Sequence, residues 1–86
     1  MQIEEAKEVV KVASHFLAEQ EPAARESRLE QIEQRGDGEW SVVLSFPDMD
    51  SDFGKLSVQM GSPLRVYKEL VVNDQAKEVT ALRFWK

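Results

Sequence analysis

The feature that most constrains the fold lies at residues 67–79, which read as a strand, a tight turn and a second strand. Apolar residues recur along residues 63–72 and again along 78–85, at the spacing expected of β-strands. Between them, Asn73 and Asp74 supply side chains that cap nearby backbone groups in turns. The segment therefore predicts a hairpin of two antiparallel strands, and with it a sheet as the main element of the fold.

The clearest single strand is residues 40–46, in which apolar and other side chains alternate. The residues expected on one face are Trp40, Val42, Leu44 and Phe46, with Ser41 and Ser45 on the other. Pro47 ends the strand.

Residues 22–35 support two interpretations. Good helix formers with Pro22 at the start and Gly36 at the end would suit a helix. We predict instead a strand at 27–35, because Leu29 and Ile32 are too few for a buried helical stripe and residues 36–38 (Gly-Asp-Gly) suit a hairpin. Leu29 and Ile32 are three residues apart, so a bulge is needed to bring them to one face.

Residues 2–20 have the spacing of an amphipathic helix, and Pro22 stops it near Gln20. The stripe comprises Ile3, Ala6, Val9, Val10, Ala13, Phe16 and Leu17. The predicted fold class is therefore α+β: a single domain, residues 1–86, with an N-terminal α-helix packed on a four-stranded antiparallel β-sheet.

Residues 47–62 are the longest segment without a predicted element. Sixteen residues are many for a loop in a small domain, so the segment is expected to be mobile or to contain a short hairpin extension. The alternation of Leu56, Val58 and Met60 suits the extension.

A helix followed by an antiparallel meander resembles the cystatin-like architecture, and the last hairpin resembles that of PepSY-type small domains. Tyr67, Val71 and the pair Glu78-Val79 match the PepSY hairpin pattern, and residues 38–42 resemble its strand start, Gly-x-Trp-x-Val. Lys77 replaces the glycine of that pattern. The resemblance implies an accessory, inhibitory or uncharacterised domain. Cystatin inhibitors carry Gln-x-Val-x-Gly in a hairpin loop, which residues 58–61 do not match, so we do not expect protease inhibition by that mechanism.

Composition argues against several classes of partner. The net charge of -5 and the scattered basic residues disfavour nucleic acids and anionic membranes, because both are bound largely through cationic side chains. No apolar run approaches the roughly 20 residues that span a bilayer, and residues 1–5 do not resemble a signal peptide. The absence of cysteine suits a reducing compartment, so we expect a soluble cytoplasmic protein.

Three sets of polar residues are candidates for chemical sites. Asp48, Asp50 and Asp52 alternate as calcium ligands do, but the glycine and glutamate positions of an EF-hand loop do not match. His15 is the only histidine, and its predicted helix face offers no nucleophile within reach. Glutamates are numerous, but a chain of 86 residues has little room for a glycosidase cleft. We therefore expect no catalytic residues, no metal and no cofactor.

The prediction for function rests on strands that are apolar on both faces, because one helix covers only one face of a sheet. Exposed aromatic surface is typical of interfaces, so we predict a non-enzymatic interaction or regulatory module that binds a protein partner, or forms a homodimer, through the open sheet face. The predicted contact residues are Tyr67, Leu82, Phe84 and Trp85. Alternatively, a bulge or the 47–62 segment buries these residues.

A second function remains open at this point. A helix crossing a curved sheet can enclose a pocket for a small ligand. The residues expected to line it are Trp40, Phe46, Phe16 and Trp85.

Overall fold

The computed structural model describes residues 3–49, 51–61 and 64–85, and it confirms the predicted α+β fold. Helix α1 (Ile3–Gln20) is followed by a short 3₁₀ helix (Pro22–Glu26), strands β1 (Arg28–Gln34) and β2 (Glu39–Pro47), helix α2 (Asp52–Gln59), and strands β3 (Arg65–Asn73) and β4 (Glu78–Phe84). The strands form one antiparallel sheet in the order β1-β2-β3-β4, so β1 and β4 are its edges.

The core lies between α1 and one face of the sheet, which we call the helix face. Val9, Ala13 and Leu17 recur every four residues on α1 and are buried, as the predicted apolar stripe requires. They pack against buried side chains of the 3₁₀ helix, β2 and β3: Ala24, Trp40, Val42, Leu44, Phe46, Leu70 and Val72. The alternation of residues 40–46 is thereby confirmed, and the opposite face of the sheet, which we call the open face, carries Ser41 and Ser45.

The strand interpretation of residues 27–35 is also confirmed, with β1 beginning at Arg28. Its pairing with β2 shifts between Leu29 and Gln31, which is the predicted bulge. Because of this shift, Leu29 lies opposite Leu44 and Ile32 opposite Val42, both on the helix face. The helix alternative is wrong for this segment, since helical structure after Pro22 extends only to Glu26.

The hairpin extension predicted within residues 47–62 is wrong, because the segment contains helix α2. Ser51 caps the helix by accepting a hydrogen bond from the Gly54 N–H at 2.9 Å. The alternation of Leu56, Val58 and Met60 misled the interpretation, whereas Phe53, Leu56 and Met60 have the i, i+3, i+7 spacing of a helix. Asp50, Ser62 and Pro63 lie outside the described residues.

The β3–β4 hairpin closes through the predicted turn. The Asn73 side-chain oxygen accepts hydrogen bonds from the backbone N–H groups of Gln75 (3.0 Å) and Ala76 (2.9 Å). Beyond the turn, Val79 lies opposite Val72 but Ala81 lies opposite Val71, so Thr80 is an extra residue in β4. This second bulge brings Val79 to the same face as Leu82, which lies opposite Leu70.

Candidate functional site

The four predicted contact residues lie together at one end of the β3–β4 hairpin but on two faces of it. Tyr67 and Trp85 are on the open face, where their ring centroids are 5.9 Å apart. Leu82 and Phe84 are on the helix face, and the Lys68 ammonium group lies 3.3 Å from the centroid of the Phe84 ring. The residues therefore flank an edge strand from both sides and do not form one surface on the open face.

Most of the open face is covered by the chain's own charged side chains. The Glu69 carboxylate accepts a hydrogen bond from the Ser41 hydroxyl at 2.7 Å. It also lies 3.2 Å from Arg83 Nε and 3.9 Å from an Arg35 terminal nitrogen. Val71, the next residue of β3 on this face, is buried. The expected apolar open face is here largely a layer of paired charges.

A second charged cluster covers the other end of the open face. The Ser45 hydroxyl is completely buried and donates to a Glu30 carboxylate oxygen at 2.5 Å. Arg65 donates to the same hydroxyl at 3.0 Å and to the Ser45 carbonyl at 3.1 Å, while Arg28 lies 3.2 Å from Glu30. Glu30 occupies the bulge of β1, and this position lets its carboxylate reach β2.

We expect Ser45→Ala to raise the pKa of Glu30 toward its ordinary value. The Ser45 hydrogen bond is the main cause that holds the pKa of this carboxyl low in the folded state, with Arg28 adding to it. Because the folded-state pKa is lowered, the bond stabilises the fold above the ordinary carboxyl pKa, and that contribution disappears as the pH falls through the folded-state value. Carbon-detected NMR titration of Glu30 measures the shift. Ser14→Ala, which removes a hydroxyl bonded to Lys11 on α1, should leave the titration unchanged.

Exposed apolar side chains are concentrated instead at one end of the sheet, which we call the apolar end. In this antiparallel order, the starts of β1 and β3 and the ends of β2 and β4 meet at the same end. Phe53, Met60 and Phe84 are the most exposed large apolar residues described, at 78%, 74% and 72%. The members of the apolar end are Leu29, Met49, Phe53, Leu56, Val58, Met60, Leu64, Phe84 and Trp85.

Helix α2 is attached to the apolar end by polar contacts. The backbone N–H of Asp48 donates to the Leu64 carbonyl at 2.8 Å, and the N–H of Leu64 donates to the Ser57 hydroxyl at 2.8 Å. The apolar side chains of α2 contribute to none of these bonds and project from the helix as an exposed stripe at 53, 56 and 60. Sequence reasoning missed this stripe, although the Ser51 cap and the helical spacing that follows it were the signals to find it.

A groove of about 710 Å³ runs between α1 and the start of β4. Val12 and Phe16 line it from the helix and Val79 from the strand. Of the residues predicted to line a pocket, only Phe16 does so: Trp40 and Phe46 are core residues, and Trp85 lies against Tyr67 on the open face.

The rim of the groove is charged. Lys77 Nζ lies 2.8 Å from a Glu8 carboxylate oxygen and so ties the hairpin turn to α1. This hydrogen bond and the attraction between the charges lower the pKa of Glu8, and the same hydrogen bond raises the pKa of Lys77. His15 is exposed on the helix, with Nε2 at 2.9 Å from a Glu19 carboxylate oxygen. Lys11 and Glu78 also line the groove, so the rim carries charges of both signs.

The acidic residues near α2 have a local structural role. Asp48 accepts hydrogen bonds from the Ser51 N–H at 3.2 Å and from its hydroxyl at 2.7 Å, just before the helix. The calcium interpretation also requires Asp50, which lies outside the described residues. Within residues 3–49, 51–61 and 64–85, no three His, Asp or Glu side chains are grouped closely enough to hold a metal ion.

Two further results limit what the chain resembles. Over the part of the chain that the structure describes, no helix combines the length and apolar character needed to cross a bilayer. Comparison of the chain with protein-family models, with curated proteins and with solved structures gave no significant match. The likeness to cystatin-like and PepSY-type domains beyond the shared α+β order therefore stays a prediction.

Proposed function

We propose that this domain is a non-catalytic interaction module that binds another protein through the apolar end, in the cytoplasm. The observation that carries the proposal is the position of the exposed aromatic and aliphatic side chains. They gather around α2 and the end of β4, whereas the open face is occupied by ion pairs and buried serines. Apolar surface concentrated in one place is typical of protein interfaces.

The apolar end has the composition of an interface centre. Aromatic residues and methionine are enriched at such centres, and Phe53, Met60, Phe84 and Trp85 are all present here. Removing the exposed part of these side chains from water favours association, at about 25 cal/mol for each Å² of apolar surface. The chain's acidic character and the absence of a basic stripe support a protein partner over nucleic acid.

We expect the double variant Phe84→Asp/Trp85→Asp to lose a partner that the unmodified chain captures from its native lysate. Two carboxylates at the centre of an apolar contact would have to be desolvated on binding, which opposes association. Capture on a tagged chain followed by mass spectrometry gives the readout. Gln75→Asp/Ala76→Asp is the matched control, because it adds the same two carboxylates at exposed residues of the turn at the other end of the hairpin.

The partner should appear in stoichiometric amounts with the unmodified chain and with the control, and should be missing from the double variant. Equal recovery by all three chains would contradict binding through the end of β4. Circular dichroism of each variant shows whether the fold is intact, so a lost partner is not confused with a lost fold.

The groove between α1 and β4 supports small-ligand binding as a second candidate. Its lining of Val12, Phe16 and Val79 is apolar and its rim is charged, which is the usual make-up of a ligand site. A chain that captures no protein but gains thermal stability with a small apolar compound would favour this candidate over the interaction module.

A further inference from the structure

We propose that two copies of this chain form a symmetric dimer in which β4 of one copy pairs antiparallel with β4 of the other. The inference goes beyond the proposed function, because it uses the middle of β4 and a different partner, a second copy. It rests on three features of β4: a free edge, a bulge that makes its two halves equivalent, and complementary charges at equivalent positions.

The first feature is the edge. β4 pairs with β3 on one side and is the last strand of the sheet. The backbone N–H of Trp85 donates to the Tyr67 carbonyl at 3.1 Å, so at this residue the backbone points toward β3. Backbone groups alternate in direction along a strand, so those of Phe84 and Leu82 point to the free edge, where a second strand can pair with them.

The two edges of the sheet differ in how they are protected. Charged side chains are frequent on edge strands because they discourage further pairing. β1 carries Arg28, Glu30 and Glu33 within seven residues. β4 has an uncharged run, Val-Thr-Ala-Leu at 79–82, with Glu78 before it and Arg83 after it. Of the two edges, β4 is therefore the one suited to pairing.

The second feature is the bulge at Thr80. Residues that lie opposite each other in an antiparallel pair share a face. In a regular strand, residues 78 and 83 would lie on opposite faces, as would 79 and 82. The extra residue changes this: Glu78 and Arg83 are both on the open face, opposite Asn73 and Glu69. Val79 and Leu82 are likewise both on the helix face, opposite Val72 and Leu70.

The order of faces along β4 is consequently the same when read from either direction. A twofold axis perpendicular to the sheet, passing between residues 80 and 81, would place Glu78 opposite Arg83 and Val79 opposite Leu82 of the second copy, each opposite a residue on its own face. A register shifted by one residue would place Glu78, which is on the open face, against Phe84, which is on the helix face, so the faces disfavour that shift.

The third feature is what this register brings together. Glu78 lies opposite Arg83 of the second copy, and Arg83 opposite Glu78 of the second copy, so the dimer contains two equivalent pairs of opposite charge. On the helix face, Val79 lies opposite Leu82 of the second copy. Cross-strand pairs of opposite charge and of apolar side chains are the ones that stabilise antiparallel sheets.

Arg83 can make the second contact while keeping its first. Its Nε lies 3.2 Å from Glu69, and a guanidinium group has five N–H donors. Its side chain is more than half exposed, as Glu78 is also exposed, so both are accessible to a second copy. The result is a row of alternating charges that crosses the interface: Glu69 and Arg83 of one copy are followed by Glu78 of the second copy.

The dimer would be an eight-stranded sheet with both α1 helices on one face. The two grooves between α1 and β4 would then face each other across the twofold axis, and their apolar linings at Val12, Phe16 and Val79 would form one channel. The two apolar ends would lie at opposite ends of the joined strands, so each would remain open to a partner.

Charge reversal tests the register directly. Glu78→Arg places two arginines at each charge contact of its own dimer, and Arg83→Glu places two glutamates there. We expect each single variant to raise the dimer dissociation constant at least about tenfold in sedimentation equilibrium. In an equimolar mixture of the two variants, both contacts have opposite charges, and the constant should return to within about threefold of the unmodified value.

The matched control is Glu33→Arg, which makes the same charge change on the open face of the other edge strand and should leave dimerisation unchanged. Far-UV circular dichroism reports whether each variant folds. Arg83→Glu removes one of the partners of Glu69. If that variant does not fold for this reason, Glu78→Arg decides the question alone, since Glu78 is exposed and lies opposite Asn73.

Several outcomes would overturn the inference. The inference is wrong if the unmodified chain sediments at its monomer mass of 9.8 kDa at about 0.5 mM. It is also wrong if Glu78→Arg dimerises as well as the unmodified chain. A dimer that both variants weaken but their mixture fails to restore would also reject this register. None of these results affects the capture experiment at the apolar end, which can succeed with a monomer.

Discussion

Trp40→Ala is expected to remove about a third or more of the free energy that stabilises the fold. Trp40 is 0% exposed and is the largest fully buried side chain described. Replacing a buried tryptophan with alanine typically costs about 3–5 kcal/mol, and a domain of this size has only about 5–10 kcal/mol in total. Urea denaturation followed by far-UV circular dichroism measures the loss, because it does not depend on the fluorescence of the deleted side chain.

The control for this prediction separates the packing of the ring from its hydrogen bond. Trp40 Nε1 donates to Asp74 at 2.9 Å and so joins β2 to the turn between β3 and β4. Trp40→Phe keeps most of the apolar contact and removes this bond, so it should cost only about 1–2 kcal/mol. A value for Trp40→Ala within 1 kcal/mol of zero would show that the core does not depend on this residue as its burial indicates.

Gly54→Ala is expected to destabilise the protein, although the same change inside a helix usually stabilises it by about 0.5–1 kcal/mol. A methyl group on Gly54 would lie 2.2 Å from the Asp48 carbonyl oxygen and 2.9 Å from the Asp48 carbonyl carbon. These are backbone atoms, so the segment before α2 would have to move, at a cost of about 1–3 kcal/mol. The sign of the effect is therefore the test.

Thermal denaturation and amide hydrogen exchange of α2 measure the effect of Gly54→Ala. Exchange should become faster in residues 52–59 and stay unchanged in β2 and β3, because α2 is attached by a few polar contacts at the end of the sheet. Lys55→Ala is the control, since Lys55 is exposed and alanine there adds helix propensity without a clash. A stabilised Gly54→Ala variant would contradict the tight contact with Asp48.

The parts of the fold that sequence reasoning predicted are those where the apolar spacing is regular. α1 and β2 show one period over their whole length, so the spacing alone predicts which of their side chains meet in the core. The β1 bulge was predictable for a related reason, because Leu29 and Ile32 fit one face only if the strand gains a residue.

Prediction from the sequence failed where the spacing of apolar residues over a short segment suits both a strand and a helix. In residues 51–60, Leu56, Val58 and Met60 suggest a strand, while Phe53, Leu56 and Met60 suggest a helix, and the Ser51 cap decides between them. In β4, one extra residue at Thr80 reversed the face expected for Val79 relative to Leu82. A bulge cannot be recognised from composition. The sequence therefore indicates the candidate contact residues but does not show that they lie on two faces of the sheet.

The bond between Glu8 and Lys77 joins residues that are 69 positions apart, and this separation has a consequence for the order in which the protein forms. On the ribosome, α1 is made first, yet the strands that bury Val9, Ala13 and Leu17 are made long afterwards. Until β2 and β3 have been synthesised, the apolar stripe of α1 has no sheet to cover it, and isolated helices of this length are marginally stable in water. The nascent chain thus exposes this apolar segment until β3 has been synthesised, and chaperones that bind apolar segments would find a target in it.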